Sequence, residues 1–448
     1  MNFNEFKNLV IAECSAAGIT EYELYYHTSE STSVDTFQHA IHEFTSSMAG
    51  GVCFRCIVNG KMGYASTEAL NAEQARGIVT RAADNATNLE AEETVFLGEG
   101  GQAYEELTIT PYDEPSTEEL INTVLAVQEK LYAEDPTVID GCQTQGFREK
   151  METAIFNSKG LDLHYANTAA GLVVVSVVTD GKEMANSFQI KLGKLDTIDS
   201  DAMVKKAVTN AKASLGSDVA PTGQYPVIFD PSAMSSLLQC FSSVFSSEAA
   251  QKGLSQLADK EGQIIAAPIV TLVDDPFHKE NPEPINFDAE GSPTHKKNII
   301  EGGKLNTLFY NLKTANKAGK KTTGNASKAG YDAPVGIQPF TLYLENGDLS
   351  EEELLAKAGN GVYIHSLQGL HAGANPISGD FSLQSAGFMI EDGKKTHAVK
   401  SFTVAGNFYQ LLKNITAIAN NCELPMAMGK TAFGSPSVLV EGLSVAGK

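Results

Sequence analysis

Positive charge is scarce in this chain: Lys and Arg number 33 against 55 Asp and Glu, a formal net charge of −22 over 448 residues. A field of that sign repels phosphate, so no direct binding to nucleic acid is expected. Long apolar runs are lacking as well. No window approaches the ~18 consecutive apolar residues of a membrane-spanning helix. The N-terminus, MNFNEFKNLVIAECSAAG, carries no basic leader ahead of an apolar stretch. Cysteine is sparse, with Cys14, Cys53, Cys56, Cys142, Cys240 and Cys422 scattered along the chain. Without a signal peptide, reduced thiols in the cytoplasm are the expected state. The composition that remains, 42% hydrophobic and 20% charged, is that of an ordinary folded protein. The chain is too long for one typical core, so two domains are expected.

The N-terminal segment reads as an amphipathic helix with Phe3, Phe6, Leu9 and Val10 on one face. Strands are expected at 21–28 and 31–46, then a hairpin from 51–58 that turns at Asn59-Gly60, a pair suited to the positive φ of a tight turn. Residues 71–90 and 116–134 have helical periodicity, the second opened by Ser116 with Glu119 as a capping box. Strands follow at 151–157, 161–166, 171–179 and 183–192, then a helix over 200–215. The run LGSDVAPTGQYP (215–226) concentrates Gly, Pro and Ser and is the candidate linker. Beyond it come a strand ending in VIFD, a helix opened by Asp230 and Pro231, and short strands rich in glycine. The expected fold is α+β in two domains. Residues 1–218 place helices on a mainly antiparallel sheet, and 225–448 form a β-rich antiparallel domain.

Several runs in the second half are too particular for plain hairpins. GLHAGANPISGDFS (369–382) sets His371, Asn375, Ser378 and Asp380 among three glycines; VDDP (273–276), FDAEG (287–291), TTGNASKAG (322–330) and GSPSVLVEGLSVAG (434–447) accompany it. In that order the runs resemble the TldD/PmbA family, whose best-known members are metallopeptidase subunits. The resemblance implies a zinc site on the helix that begins at Asp230, where peptidase members carry His-Glu-x-x-x-His. Here Gln239 and Val244 stand in the histidine slots and Cys240 in the glutamate slot. Zinc takes imidazole, thiolate or carboxylate donors, and Val244 has none to offer. The family also draws a cysteine from the C-terminal segment, a region that here holds Cys422 after Asn420-Asn421.

The pattern therefore resembles the PmbA (TldE) branch. What that implies is a cytoplasmic subunit that binds no cofactor itself and pairs with a zinc-bearing TldD-like paralogue to process extended or unfolded peptides. Two other readings stay open: an active homodimeric peptidase with a different metal site, and a non-enzymatic binding module with a toxin–antitoxin or DNA gyrase-modulator role. The residues admit alternatives too. Asp274, Asp275, Asp288 and Glu290 suit either a hard-cation site or the ends of turns. His371, Asn375, Ser378 and Asp380 either face a cleft or subunit partner, or satisfy the backbone of their own Ω-loop. Cys53 and Cys56 lie on one strand at a spacing that points them to opposite faces, so they read as structural.

Overall fold

The computed structural model describes residues 1–90, 94–107, 115–281, 283–428 and 431–447. It begins with helix α1 (Phe3–Ala16), opened by a capping box between Asn2 and Glu5, which buries Phe6, Val10 and Cys14. Leu9, expected on that buried face, is 36% exposed. Strands β1 (Tyr22–Phe37), β2 (Ala40–Val58) and β3 (Lys61–Thr67) follow. The expected strand at 31–46 does not exist as one piece. The chain reverses at Gln38 and His39, both with positive φ (49° and 63°), and β1 pairs with β2 from Tyr22↔Cys56 to Phe37↔Ala40. The Asn59-Gly60 turn occurs as expected, with φ of 52° and 73°.

Helices α2 (Ala72–Asn88) and α3 (Thr117–Glu134) come next. In α3 the Ser116 Oγ accepts from Glu119 N at 3.2 Å while Glu119 Oε2 accepts from Ser116 N at 2.7 Å, which is the capping box read from the sequence. Strands β4 (Gln143–Asn157) and β5 (Asp162–Thr179) are longer than their sequence patterns, β6 (Met184–Leu192) matches its own to within a residue, and α4 (Ser200–Ala213) closes this half. The two strands expected at 161–166 and 171–179 are the single strand β5. All neighbours in the sheet, ordered β3-β2-β1-β4-β5-β6, are antiparallel. Helices α1 and α2 pack on Leu24, Val52, Phe54 and Cys56, and α3 and α4 on Val34, Leu172 and Val174. The opposite face carries Tyr25, Cys53 and Ile155, which share a core with Ile285, Phe287 and Phe340 of the second half. Cys53 and Cys56 thus occupy different cores, as their spacing requires.

The second half opens with strand β7 (Gly223–Phe229) and helix α5 (Pro231–Phe241). One sheet runs Lys394–Asn407, Asp380–Glu391, Gly361–Gln368, β7, Val438–Ala446 and Ile415–Ile418 in order. A further pairing of Thr403 with Ala446 joins its first and fifth strands, so five of them close into a barrel-like ring. The other sheet includes Leu272–Asp274, Lys297–Glu301, Thr341–Leu344 and Thr431–Ser435. Pairing is mainly antiparallel, with two parallel exceptions: Gly361–Gln368 on β7, and Thr341–Leu344 on Thr431–Ser435.

An ion network ties the halves together. Arg55, 6% exposed on β2, donates from Nε to Glu23 Oε1 at 2.7 Å and lies 4.0 Å from Glu290 Oε1 in the second half. Glu23 also accepts from Asn157 Nδ2 at 3.1 Å, and Glu290 from Leu312 N at 2.8 Å. Removing the cation strands two buried carboxylates, a change that typically costs ~3–5 kcal/mol. Arg55→Ala is therefore expected to lower the urea midpoint strongly. Arg55→Lys, which keeps the charge and loses the planar fork, should recover part of the loss.

Candidate functional site

The site centres on α5 because the resemblance places zinc chemistry there. Asp230 caps the helix, its Oδ1 accepting from Ala233 N at 2.8 Å, and Pro231 takes the first position, where a missing N–H costs nothing. Met234, Leu237, Leu238, Phe241, Val244 and Phe245 are at most 1% exposed. The serines between them are satisfied locally: Ser235 Oγ donates to Pro231 O at 2.6 Å and Ser236 Oγ to Ser232 O at 2.9 Å. The α-helix ends at Phe241 and tightens into a 3₁₀ turn over Ser242–Phe245. Of the three metal-slot residues, Gln239 is exposed, Cys240 is half-buried with its thiol 3.8 Å from Leu370 O, and Val244 is buried. Burial pushes the Cys240 thiol above its ordinary value, away from the thiolate that a metal would need. This donor set does not fit a zinc ion. Among the described residues no three His, Cys, Asp or Glu side chains converge on a metal position. Cys422, half-buried and held through its N–H to Asn346 Oδ1 at 2.8 Å, has its thiol pushed up to about 12 by burial and then by Glu280 and Glu423.

The contact between Cys240 and Leu370 seats the loop 369–382 on the last turn of α5, so the two features singled out from the sequence are neighbours. A short helical turn, Leu370–Gly373, leads into a loop closed by Asn375 N to Asp380 O and Gly379 N to Asn375 O, both 2.8 Å. Asn375 Oδ1 accepts from Ile377 N at 3.0 Å and Ser378 N at 3.3 Å, and Ser378 Oγ from Asp380 N at 3.2 Å. Asp380 Oδ1 accepts from Asn407 Nδ2 at 2.8 Å; that partner first, then Ser378, holds the exposed carboxyl below its ordinary range. Asn407 Nδ2 and Gln256 Nε2 also donate to Ser378 O. At Gly379 (φ 83°) a Cβ would stand 2.5 Å from the Tyr409 ring, so only glycine fits. Asn375, Ser378 and Asp380 therefore build the loop, whereas His371 and Ile377 point outward and are exposed. Gln256, Asn407 and Tyr409, which hold the loop from outside, were not anticipated; no local pattern marks them.

The four acidic residues are dispersed among separate structural tasks. Asp274, fully buried, accepts from Lys297 Nζ at 3.0 Å, Asn325 Nδ2 at 2.8 Å and Phe340 N at 2.8 Å. Asp275 caps a turn through Phe277 N at 2.9 Å. Asp288 accepts from the N–H groups of Glu290, Ser292 and Ala326, each at 2.9 Å, and Glu290 belongs to the Arg55 network. Asp275 and Asp288 thus serve turns, whereas Asp274 and Glu290 are buried beside Lys297 and Arg55.

Three family models match successive parts of the chain: PmbA/TldA metallopeptidase domain 1 over residues 22–86, the central domain over 110–215 and the C-terminal domain over 222–447. A candidate modulator of a DNA gyrase from Thermotoga maritima superposes with a TM-score of 0.90 at 30% identity, covering 99% of this chain and 100% of that one. TldE from Thermococcus kodakarensis gives 0.88 at 25% identity, covering 98% and 99%. A protein of Methanothermobacter thermautotrophicus named as a metalloprotease is 24% identical over 438 residues, 94% of each chain.

Asp230 supplies a pH test. Burial pushes its carboxyl up to about 7, with Glu423 and Glu351 adding to the rise and the Ala233 N–H and Lys395 opposing it. Its folded value thus exceeds the ~3.9 of an unfolded Asp. The native state then holds a proton that the unfolded state has released, and its stability falls as pH rises from about 4 to 7. Asparagine caps a helix as well as aspartate and carries no charge. Asp230→Asn should therefore gain on the parent chain between pH 5 and pH 8 by on the order of 2–3 kcal/mol. Denaturant midpoints at the two pH values measure it.

Proposed function

The chain belongs to the PmbA/TldD metallopeptidase family, and from that footing we propose that it is the metal-free, TldE-type subunit of a two-chain cytoplasmic peptidase. In this reading a zinc-bearing TldD-type paralogue cuts extended or unfolded peptides, and the present chain completes the cleft around them. The observation that carries it is α5, where Gln239, Cys240 and Val244 replace the donors that a peptidase of this family needs. The likeness to a TldE across nearly the whole chain supports the same assignment. The absence of any helix among the described residues long and apolar enough to cross a membrane accords with it.

The contribution of this chain is then binding and positioning. Hydrolysis of a peptide at neutral pH needs an activated water, and zinc in the paralogue would supply it by lowering the water's pKa. The β-rich second half offers a wall on which an extended peptide can be gripped by main-chain hydrogen bonds without regard to its sequence. His371 and Ile377, exposed on the loop at the end of α5, are the side chains placed to meet the peptide or the paralogue.

Assays on an unfolded peptide with each subunit alone and then mixed test the reading. This chain alone should give no turnover, and adding a TldD-type paralogue should produce cleavage that a chelator abolishes. Robust turnover by this chain alone, insensitive to chelator, contradicts it. His371→Ala should reduce cleavage by the mixture several-fold while leaving the melting temperature of this chain unchanged, because the side chain is exposed.

A further inference from the structure

The run 322–330 belongs to the second half of the chain but lies against the first sheet. Asn325 Nδ2 donates to Asp274 Oδ2 at 2.8 Å and Ala326 N to Asp288 Oδ2 at 2.9 Å, which anchors its backbone. From these anchors Lys328 reaches the sheet face that the helices leave open. Tyr25 and Cys53 are direct cross-strand partners there, 5% and 3% exposed, and Lys328 Nζ stands 5.0 Å from the centre of the Tyr25 ring. The amine also donates a hydrogen bond to the Cys53 thiol. Among the described residues it forms no ion pair with a carboxylate. Burial holds the half-buried Lys328 ammonium below its ordinary value. The same effect raises the Cys53 thiol, with the Lys328 and Arg55 cations opposing the rise. A nucleophilic amine is thus kept in contact with a thiol at the seam between the two halves.

We propose that Cys53 and Lys328 form a redox modification site, in which hydrogen peroxide joins thiol and amine as a sulfenamide that links β2 to the run 322–330. The inference goes beyond the paralogue reading and does not depend on it, because neither residue belongs to α5 or its loop. The chemistry takes two steps. The Cys53 thiolate attacks one peroxide oxygen, the O–O bond breaks, and sulfenic acid and water result. The Lys328 amine then attacks that sulfur; an S–N bond forms, and the hydroxyl leaves as water with a proton from the amine. Sulfur is oxidised by two electrons, one peroxide is reduced to two waters, and the protein loses two hydrogen atoms. Burial slows the first step, since the thiolate is the reactive form. Contact favours the second, because an amine already in place intercepts the sulfenic acid before further oxidation. Cys56 supplies the contrast. It points into the core beneath α1 and α2, where burial alone shifts its thiol.

The full-length chain, incubated with excess hydrogen peroxide, then denatured, alkylated and digested with trypsin, tests this by mass spectrometry. Cleavage at Arg55 separates Cys53 from Cys56. The Cys53 peptide should appear joined through Lys328, two hydrogen atoms lighter than the sum of its parts, with cleavage after Lys328 lost. Cys56 should remain alkylated, and dithiothreitol should release both peptides. Lys328→Arg keeps the cation and removes the nucleophile, so the link should vanish and dimedone should trap a sulfenic acid at Cys53. The map of the parent chain decides by itself, whether or not the variant folds. Cys53 still fully alkylated once the exposed Met48 and Met184 are sulfoxides would overturn the proposal. So would Cys53 recovered as sulfinic acid or as a disulfide with Lys328 unmodified, or a link unchanged in Lys328→Arg.

Discussion

Both six-stranded sheets of the second half are assembled on one helix. α5 contacts Thr431–Ser435 and Glu423–Met428 of one sheet and Gly361–Gln368 and β7 of the other. Six of its large apolar side chains, counting the 3₁₀ turn that follows, are at most 1% exposed. A helix in that position has little freedom: each of its residues is either packing, satisfying its own turn or facing the loop at 369–382. Here the slots hold an exposed amide, a protonated thiol and a buried valine. The packing role of the helix is complete in itself, and the fold matches that of solved relatives over nearly the whole chain.

The loop shows how the same constraint shapes the site. Gly379 lies under Tyr409, Asn407 reaches both Ser378 and Asp380, and Cys240 touches Leu370. Most of the polar residues in the run are thereby spent on holding its backbone, leaving His371 and Ile377 free to meet another molecule. An arrangement of this kind presents a fixed surface.

Features governed by local chemistry were legible in the sequence. The Ser116–Glu119 box, the Asp230-Pro231 helix start and the Asn59-Gly60 turn each depend on residues a few positions apart. The turn at Gln38-His39 was not legible, because it lacks the Gly or Asn that usually marks such turns, and the long pairing of β1 with β2 imposes it. Strand β5 read as two because Asn167 and Thr168 resemble a break, yet β4 pairs continuously across them. The family resemblance was visible in short glycine-rich runs. The residues that secure the loop, Gln256 and Asn407, lie far from it in the chain and give no periodic signal. The Glu23–Arg55–Glu290 network was hidden for the same reason.

Elemental analysis of the chain purified without chelator tests the central claim most directly, because metal content reports on α5 independently of any partner or substrate. Zinc well below one atom per chain is the predicted result. About one zinc per chain, lost when Cys422 or His371 is replaced, would contradict the account.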